Sequence, residues 1–329
     1  MLSLKTTIEE WPVAGSFRIS RSEITKITVA VVTASRNGHI GRGECRPYPR
    51  YAESAQSVKA QIDSLGAQAK DLSTDSLQTL LPAGAARNAV DLALWDLRAQ
   101  EEGRSVASIL GLAEPRARQT AFTLSVASPH AMATAAREAS GHTLLKMKTG
   151  QSEAIDCAAA VLEARPDAQL IIDANEALTS AQCRDMQNAL AGTRVRLIEQ
   201  PIPAGSPLPD PNGESRPIIC ADEALHTRSD IPALWAAGYR AVNIKLDKAG
   251  GLTEGVKLAR AAKAQGFQIM LGCMVGTSLA MMPALLMESF ADVIDLDVAL
   301  LLEKDRENGV GYEGGKILPA PHSFWGYPR

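Results

Sequence analysis

From about residue 118 onward, short apolar segments alternate with alanine-rich segments of helical character, and this alternation constrains the fold more than any other feature. Eight of the apolar segments have the length and side chains of buried strands. They lie at residues 119–126, 143–148, 169–175, 195–200, 217–222, 241–247, 268–274 and 292–297. Strands that alternate with helices predict parallel βαβ units, and eight units predict a closed (β/α)8 barrel. A doubly wound open sheet is the alternative.

One connection between the predicted strands is expected to be irregular. The segment from Ala204 to Gly213 is too rich in proline and glycine to form a full helix. We therefore expect a barrel in which one helix of the outer ring is replaced by a loop.

The N-terminal third of the chain has a different pattern and predicts a separate α+β domain. A β-branched run over residues 27–34 is followed by Asn37-Gly38, a strong hairpin signal, and by a second strand toward Cys45. Helices are expected over residues 52–69 and 85–102.

The predicted organisation is an α+β domain over residues 1–115 and a barrel over residues 116–316. The tail, residues 317–329, contains Phe324, Trp325 and Tyr327. We expect these aromatic side chains to pack back on the first domain.

Composition narrows the class of protein. The 329 residues include 34 Lys+Arg and 37 Asp+Glu, the formal net charge is −3, and 46% of the residues are apolar, as in ordinary globular proteins. There is no basic field for nucleic acid or an anionic membrane. Neither a signal peptide nor a membrane-spanning helix is predicted. The five scattered cysteines indicate reduced thiols and a cytoplasmic location.

Charged side chains interrupt the apolar pattern where the predicted strands end. A buried parallel strand is ordinarily a continuous apolar run. The charged residues recur at intervals of about 25 residues, one βα unit each, and are Lys148, Asp173, Glu199, Asp222 and Lys245. They are therefore expected at one level around the barrel, at the face where active sites of such barrels lie.

The alternation of side chains along a strand supports this interpretation. Residues i and i+2 of a strand face the same side. Four pairs with this spacing can point into the barrel, namely Lys146 with Lys148, Asp173 with Asn175, Lys245 with Asp247, and Asp295 with Asp297. A shift of one residue would bury these charges against the helices.

Three carboxylates from consecutive strands, those of Asp173, Glu199 and Asp222, are expected to converge without a histidine or cysteine beside them. Hard oxygen ligands of this kind suit Mg2+ or Mn2+. Without a cation, the carboxylates would repel one another. The sequence therefore predicts a divalent metal site at the barrel mouth.

Lys148 and Lys245 lie on strands at opposite sides of this predicted metal site. A lysine acts as a base when burial or nearby positive charge lowers its pKa, and Lys146 and the metal supply that charge. Two bases on opposite faces of a metal-bound carboxylate predict removal of a proton from one face of a carbon and its return to the other.

The motifs that carry these residues resemble those of the enolase superfamily, in its muconate-lactonising subgroup. They are KMK (146–148), DAN (173–175), EQP (199–201), ADE (221–223) and NIKLDKAGG (243–251). Segments 11–23, 43–54 and 81–97 resemble the dipeptide epimerases of that subgroup. The resemblance implies a TIM-like barrel whose mouth is closed by the N-terminal capping domain.

The resemblance also implies roles for individual residues. Asp173, Glu199 and Asp222 take the positions of the ligands of one Mg2+ per subunit, for which Mn2+ is the alternative. Lys148 and Lys245 take those of the acid/base lysines, and Lys146 supports the first of them. By the same resemblance, Asp295 and Asp297 accept an α-ammonium group of the substrate, and Arg21 binds a side-chain carboxylate of the substrate. Asn175 and Asp247 are expected to contact the metal ligands and lysines without being ligands or bases themselves.

The activity implied by the resemblance is Mg2+-dependent epimerisation of a dipeptide at the α-carbon of its C-terminal residue. The expected substrate is L-Ala-D/L-Glu, in murein peptide recycling, and the expected route is two-base 1,1-proton transfer through a metal-stabilised enediolate. Alternatives are an N-acyl amino acid racemase, an o-succinylbenzoate synthase, a cycloisomerase or a non-catalytic binding relative. Val298-Ala299 departs from the Gly that many relatives have there. A small dipeptide is the expected partner, and homo-oligomers are compatible with the sequence.

Overall fold

The computed structural model describes residues 1–19, 22–150, 153–209 and 216–329. The N-terminal part contains a three-stranded antiparallel sheet in the order β1-β2-β3, followed by four helices. The strands are β1 (Ser3–Ile19), β2 (Ser22–Arg36) and β3 (His39–Cys45), and the helices are α1 (Ala55–Asp63), α2 (Thr74–Leu80), α3 (Ala85–Glu102) and α4 (Val106–Leu110).

Local sequence signals explain most of these boundaries. Asn37 and Gly38 have φ values of 52° and 86° and form the predicted hairpin turn between β2 and β3. The predicted helix over residues 52–69 is wrong at both ends. Helix α1 begins after Ser54, which caps it together with Ser57. The helix ends at Asp63, and a 3-10 helix over Gly66–Asp71 follows, because Gly66 has a φ of 48°.

The rest of the chain forms the predicted barrel. Its strands and those of the C-terminal hairpin are β4 (Arg118–Gln119), β5 (Phe122–Leu124), β6 (Leu144–Lys148), β7 (Gln169–Asp173), β8 (Val195–Glu199), β9 (Ile218–Ala221), β10 (Ala241–Ile244), β11 (Gln268–Leu271), β12 (Val293–Ile294), β13 (Gly311–Glu313) and β14 (Lys316–Leu318). Strands β5 to β12 are parallel neighbours in chain order. Ala121 N–H donates to Ile294 O at 2.8 Å and joins the first strand to the last.

Helices connect the barrel strands, with the irregularity that the sequence predicts. The helices are α5 (Pro129–Glu138), α6 (Ala154–Ala164), α7 (Ser180–Ala189), α8 (Ile231–Ala236), α9 (Leu246–Ala249), α10 (Leu252–Gln265) and α11 (Ser278–Leu285). In the described part of the β8–β9 connection, residues 200–209 and 216–217, there is no helix. None of the helices in the described ranges is long and apolar enough to cross a membrane.

One apolar layer fills the barrel below its mouth. Each strand, or the residue just before it, contributes one side chain to a separate buried cluster. The cluster consists of Ala121, Leu144, Ile171, Leu197, Cys220, Ala241, Met270 and Val293. The residues between, such as Ile172 and Ile244, belong to the main core with the helices. This is the alternation expected of strands that are packed on both faces.

Helix α3 ties the N-terminal sheet to the barrel. Asn88 Nδ2 donates to Asp247 Oδ1 at 3.0 Å, and Trp95 Nε1 donates to Thr253 Oγ1 at 2.9 Å. The C-terminal tail packs on the same N-terminal unit. Trp325 is fully buried, and its Nε1 donates to Arg42 O at 2.8 Å.

Gly272, just beyond β11, has no side chain, and the side chain of Asn243 occupies the space next to it. A Cβ atom on Gly272 would overlap the side-chain amide of Asn243 on β10. We expect Gly272→Ala to lower the free energy of unfolding by about 1–3 kcal/mol, because a buried amide must move. Urea denaturation monitored by circular dichroism measures this. Gly141→Ala is the matched control, because a Cβ atom there meets nothing within 4 Å. Equal stability of both variants would contradict the prediction.

Candidate active site

A polar layer lies directly above the apolar layer of the barrel. It is formed by the residues two positions after each member of the apolar cluster, namely Thr123, Lys146, Asp173, Glu199, Asp222, Asn243, Gly272 and Asp295. The layer therefore holds four carboxylates and one ammonium group. The charged side chains of this layer are buried, so each of them needs a partner close by.

Lys146 is the central counter-ion of this layer. Its Nζ lies 3.0 Å from Asp173 Oδ2, 2.7 Å from Glu199 Oε2 and 2.7 Å from Asp295 Oδ2. Burial lowers the pKa of Lys146, but the three carboxylates outweigh burial and raise that pKa well above its ordinary value. Lys146 is thus held as a cation between the predicted metal ligands and the Asp295–Asp297 pair.

Lys148 and Lys245 lie on either side of strands β7, β8 and β9, as the sequence predicts. Lys148 Nζ is 2.5 Å from Asp173 Oδ2, and it donates to Asn175 Oδ1 at 3.2 Å. Lys245 Nζ is 2.7 Å from Asp222 Oδ2. Burial lowers the pKa of Lys245, yet the nearby carboxylates raise it overall. The expectation of a lowered pKa is therefore not met for Lys245, because Asp222 keeps its full charge here.

Two further residues that the sequence reasoning did not assign hold the carboxylates. Asn243 Nδ2 donates to Glu199 Oε1 at 2.7 Å. Lys248 is buried, its Nζ lies 2.5 Å from Asp222 Oδ1, and it also donates to Asp222 O. Asn243 was detectable, because it precedes Lys245 by two positions on the same strand face. Lys248 was not, because helix α9 turns its side chain back toward the barrel.

The three predicted metal ligands share one level of the barrel but do not meet at one point. Within the described ranges, no three such side chains converge as the ligands of a metal ion do, since lysine ammonium groups lie between them. The three carboxylates therefore lie at the same level of the barrel, as expected, but they are not as close to one another as the ligands of one metal ion are.

The surroundings of the Glu199 carboxylate show whether these residues suit a metal cation. Its Oε2 is buried and lies 2.7 Å from Lys146 Nζ, but no hydrogen bond is aligned on it. Burial, together with the charges of Asp173 and Asp222, raises the pKa of Glu199 to about 8. A buried carboxylate oxygen without a hydrogen bond favours a cation, and an all-oxygen donor set favours Mg2+. The residues present therefore fit this ion.

Asp295 and Asp297 form a second acidic group at the same mouth. Asp297 Oδ2 accepts the backbone N–H of Thr123 at 2.7 Å. Within the described residues, the Oδ1 atoms of both aspartates are buried and accept no hydrogen bond. Burial and the charge of Asp295 raise the pKa of Asp297 to about 7. Both residues line the cavity that also contains Lys148 and Lys245, so a cationic group of a ligand would match them.

The remaining predicted site residues have different placements. Asn175, with a φ of 44°, bonds to Lys148 and lines the cavity. The prediction that Asp247 shares a strand face with Lys245 is wrong, because β10 ends at Ile244 and Asp247 lies in helix α9. Its Oδ1 instead accepts the backbone N–H of Arg46 at 2.9 Å. Arg21 lies outside the described residues.

The N-terminal unit supplies one wall of the cavity. The loop after β3 contributes Arg46, Tyr48 and Tyr51. Burial raises the pKa of Tyr51 well above its ordinary value, so that its hydroxyl group stays neutral. The cavity is thus closed from above by side chains of the first domain and lined below by the charged residues of the barrel.

A capped barrel with carboxylates and lysines around its mouth defines an enzyme scaffold of the enolase type. The family model described as "Enolase C-terminal domain-like" matches residues 128–317. The model of the mandelate racemase/muconate lactonizing enzyme N-terminal domain matches residues 1–111. The chain belongs to this family, and the resemblance inferred from the motifs is confirmed.

Two curated relatives are equally similar to the chain but have different names. The L-Ala-D/L-Glu epimerase of Escherichia coli is 42% identical over 96% of this chain and 99% of its own length. The N-acetyl-D-glutamate racemase of a Pseudoalteromonas species is 42% identical over 91% of this chain and 95% of its own length.

Solved structures extend the comparison to bound ligands. An enolase family member from Agrobacterium tumefaciens, described as homologous to dipeptide epimerases and bound to sodium and L-Ala-L-Glu, has a TM-score of 0.94 and 42% identity. The match covers 99% of this chain and 100% of that one. A dipeptide epimerase from Enterococcus faecalis, complexed with Mg and L-Leu-L-Tyr, has a TM-score of 0.87 and 26% identity, with 96% of each chain covered.

The raised pKa of Asp297 predicts a pH dependence of stability. Between the pKa of about 4 in the unfolded chain and about 7 in the folded one, the folded state binds more protons, so stability falls as pH rises. We expect the free energy of unfolding of the wild type to fall, relative to that of Asp297→Asn, by on the order of 4 kcal/mol from pH 4 to pH 8. Urea denaturation in EDTA at several pH values measures the difference. Parallel curves for the two proteins would contradict the prediction.

Proposed function

We propose that this chain is a Mg2+-dependent isomerase that inverts the α-carbon of the C-terminal residue of a dipeptide, with L-Ala-D/L-Glu as the preferred pair. The observation that carries the proposal is the presence, in one cavity, of two opposed lysines and an acidic pair with unbonded buried oxygens. The first group suits proton transfer at a carbon, and the second suits a free ammonium group. A dipeptide has both features.

Asp173, Glu199 and Asp222 would hold the Mg2+ ion, with Mn2+ as the alternative. When bound, the ion supplies positive charge that stabilises the negative charge developing on the substrate carboxylate as the α-proton leaves. Asn243 keeps one oxygen of Glu199 in place through its hydrogen bond of 2.7 Å, and Lys248 does the same for Asp222. The other oxygens of the two carboxylates face Lys146 and Lys245 here, and they are the ones that would hold the ion.

Lys148 and Lys245 would move the proton. The amine of one lysine takes the α-proton, so that the C–H bond breaks and an N–H bond forms. The ammonium group of the other lysine then gives a proton to the opposite face of the carbon. Lys148 ends strand β6 and Lys245 follows strand β10, with three strands between them, which supports opposite sides for the two lysines around a substrate bound over β7 to β9. Lys146, held by three carboxylates, remains a cation and positions those carboxylates.

Asp295 and Asp297 would bind the ammonium group of the dipeptide and thereby select it. Their unbonded oxygens are buried, and a buried charge without a partner is costly. An N-acylated amino acid has no cation to offer them. This favours dipeptide epimerisation over N-acyl amino acid racemisation, o-succinylbenzoate synthesis and cycloisomerisation. The role of Arg21 on the substrate's side-chain carboxylate stays a prediction from the resemblance.

The biological setting belongs to the same proposal. The substrate in the name of the E. coli relative supports a role in the recycling of peptidoglycan peptides. All five cysteines are free thiols, which supports a cytoplasmic location.

Replacement of both lysines tests the two-base mechanism. With Mg2+ and L-Ala-L-Glu in D2O, we expect the wild type to exchange the α-proton of glutamate, and the double variant Lys148→Met/Lys245→Met to lose this exchange. Each single variant should retain exchange with one stereoisomer, because one face still has its base. Mass spectrometry measures deuterium uptake. Lys263→Met is the control, since Lys263 pairs with Asp292 on the surface. Exchange by the double variant would contradict the mechanism, and exchange in EDTA would contradict the metal requirement.

The second candidate is an N-acetylglutamate racemase, which the Pseudoalteromonas relative favours. We expect Asp297→Asn to lower kcat/KM for L-Ala-L-Glu by about 100-fold, because the ammonium group loses a charged partner. Any activity on N-acetyl-L-glutamate should not fall, because that substrate carries no ammonium group. Polarimetry and deuterium exchange measure both rates. A wild type that acts on N-acetylglutamate and not on the dipeptide would support the second candidate.

A further inference from the structure

Three residues beside the proposed metal ligands have a left-handed backbone conformation, which is uncommon for residues other than glycine. They are Asn175, Glu176 and Gln200, with φ values of 44°, 66° and 34°. Such conformations persist where the surrounding structure imposes them, and they concentrate at functional sites. Gln200 is fully buried and directly follows Glu199, the last residue of β8. Its conformation therefore determines how the middle one of the three ligand strands ends.

The left-handed turn at Gln200 redirects its backbone carbonyl group. The ladder between β8 and β9 continues through the N–H of Gln200, which donates to Cys220 O at 2.8 Å. In a regular parallel ladder, the carbonyl of Gln200 would accept the next hydrogen bond, from the N–H of Asp222. That carbonyl instead accepts the N–H of Glu176 at 2.7 Å, on the segment that follows β7. The N–H of Asp222 therefore needs an acceptor from elsewhere.

The side-chain amide of Gln200 takes the place of that carbonyl group. Its Oε1 accepts the N–H of Asp222 at 2.9 Å and the N–H of Ala224 at 3.1 Å. Its Nε2 donates to Ile202 O at 2.9 Å and to Tyr239 Oη at 3.2 Å. Because two N–H donors face one end of the amide, that end must be the oxygen, and the orientation of the side chain is fixed.

Gln200 thus joins the chain segments that carry all three proposed metal ligands. Asp173 ends β7, Glu199 ends β8, and Asp222 follows β9. The backbone of Gln200 holds the segment after β7, and its side chain holds the segment that begins with Asp222. A fixed backbone at Asp222 limits the positions that its carboxylate can take relative to the other two.

We infer that Gln200 is a positioning residue for the metal site, because it fixes the backbone of Asp222 relative to that of Glu199. This inference rests on the proposed function, of which the metal site is a part. The described residues that line the cavity do not include Gln200, so its effect on the ion passes through the ligands. Residues that hold metal ligands in place typically contribute about 10- to 100-fold to metal affinity.

Metal affinity, measured apart from turnover, tests this role. Each protein is freed of metal with EDTA, dialysed and titrated with Mn2+, and the electron paramagnetic resonance signal of the free ion gives the dissociation constant. We expect Gln200→Met to raise this constant by about 10- to 100-fold, because methionine has a similar length but offers no oxygen to the N–H groups of Asp222 and Ala224. Gln200→Glu should stay within about threefold of the wild type, because its carboxyl group keeps an acceptor there.

Tyr239→Phe is the matched control. It removes the hydroxyl group at the other end of the amide and leaves in place the oxygen that accepts the N–H of Asp222. Urea denaturation in EDTA should show a loss of stability in both Tyr239→Phe and Gln200→Met, because each variant loses a buried hydrogen bond. Only Gln200→Met should also lose metal affinity, which a merely structural role would not predict.

Circular dichroism checks that all variants are folded. If Gln200→Met does not fold, Gln200→Asn takes its place. Asparagine tolerates the left-handed conformation, and its side chain is one methylene group shorter, so its oxygen cannot take the position of Gln200 Oε1. We expect the same rise of the dissociation constant in this variant.

Three results would overturn the assignment. Wild-type affinity in Gln200→Met, or in Gln200→Asn where it replaces that variant, would mean that the metal site does not depend on this side chain. Equal losses of affinity in Gln200→Met and Tyr239→Phe would mean that Gln200 acts only through the stability of the loop. A loss in Gln200→Glu as large as that in Gln200→Met would mean that the oxygen acceptor is not what matters.

Asp222→Asn separates this inference from the proposed function. We expect this variant to bind Mn2+ more weakly than Gln200→Met does, because a ligand itself has lost its charge. A wild type that binds no Mn2+, or an Asp222→Asn variant with wild-type affinity, would overturn the proposed metal site, and the role of Gln200 with it.

Discussion

The active-site cavity depends on one electrostatic constraint, which is the burial of more carboxylates than ammonium groups at a single level of the barrel. Asp173, Glu199, Asp222 and Asp295 share that level with Lys146. A buried carboxylate without a partner costs several kcal/mol. Lys148 and Lys245, which pair with Asp173 and Asp222, offset part of this cost. Glu199, Asp295 and Asp297 still have buried oxygens without hydrogen bonds. The acidic excess therefore favours cations at the barrel mouth, and the proposed metal ion and ammonium group are both cations.

The apolar structure below this level determines which side chains stand at the barrel mouth. The layer of eight side chains from Ala121 to Val293 fills the barrel directly under the carboxylates. Because side chains alternate along a strand, the next residue of each strand that points inward lies at the polar level above this layer. Gly272 contributes no side chain at the polar level, and Asn243 uses the space to reach Glu199. The same alternation that buries the scaffold thus sets the charged groups at its mouth.

The sequence could predict those parts of the site that follow from local periodicity. The eight strands and the inward direction of Lys146, Asp173 and Glu199 depend on a period of two and on a regular βα length, and both are visible in one chain. Asp247 shows the limit of this reasoning. The alternation Lys245-Leu246-Asp247 is consistent with a strand, but the short helix α9 begins directly after Lys245 and ends at Gly250, whose φ of 78° caps it.

Contacts between the two units were beyond prediction for a different reason. Arg46 and Asp247 are 201 residues apart in the sequence, and Asn88 and Asp247 are 159 residues apart, and neither pair has a local signal. The direction of the pKa shift of Lys245 was likewise out of reach, because it depends on whether the nearby carboxylates, Asp222 first among them, outweigh burial of the ammonium group. Distances of this kind follow only from the packed structure.

The division of the cavity between two structural units bears on how related enzymes differ in substrate. The two relatives that are 42% identical to this chain are named for a dipeptide of glutamate and for an N-acylated glutamate. Both substrates have an α-carboxylate and an acidic side chain, and they differ at the nitrogen. In this chain, Asp295 and Asp297, the acids proposed to bind the ammonium group, follow β12 of the barrel. Arg46 belongs to a loop of the N-terminal unit that Asp247 holds in place. Because these two parts of the cavity wall are carried by separate elements, either part can change in sequence while the lysines of the barrel mouth stay the same.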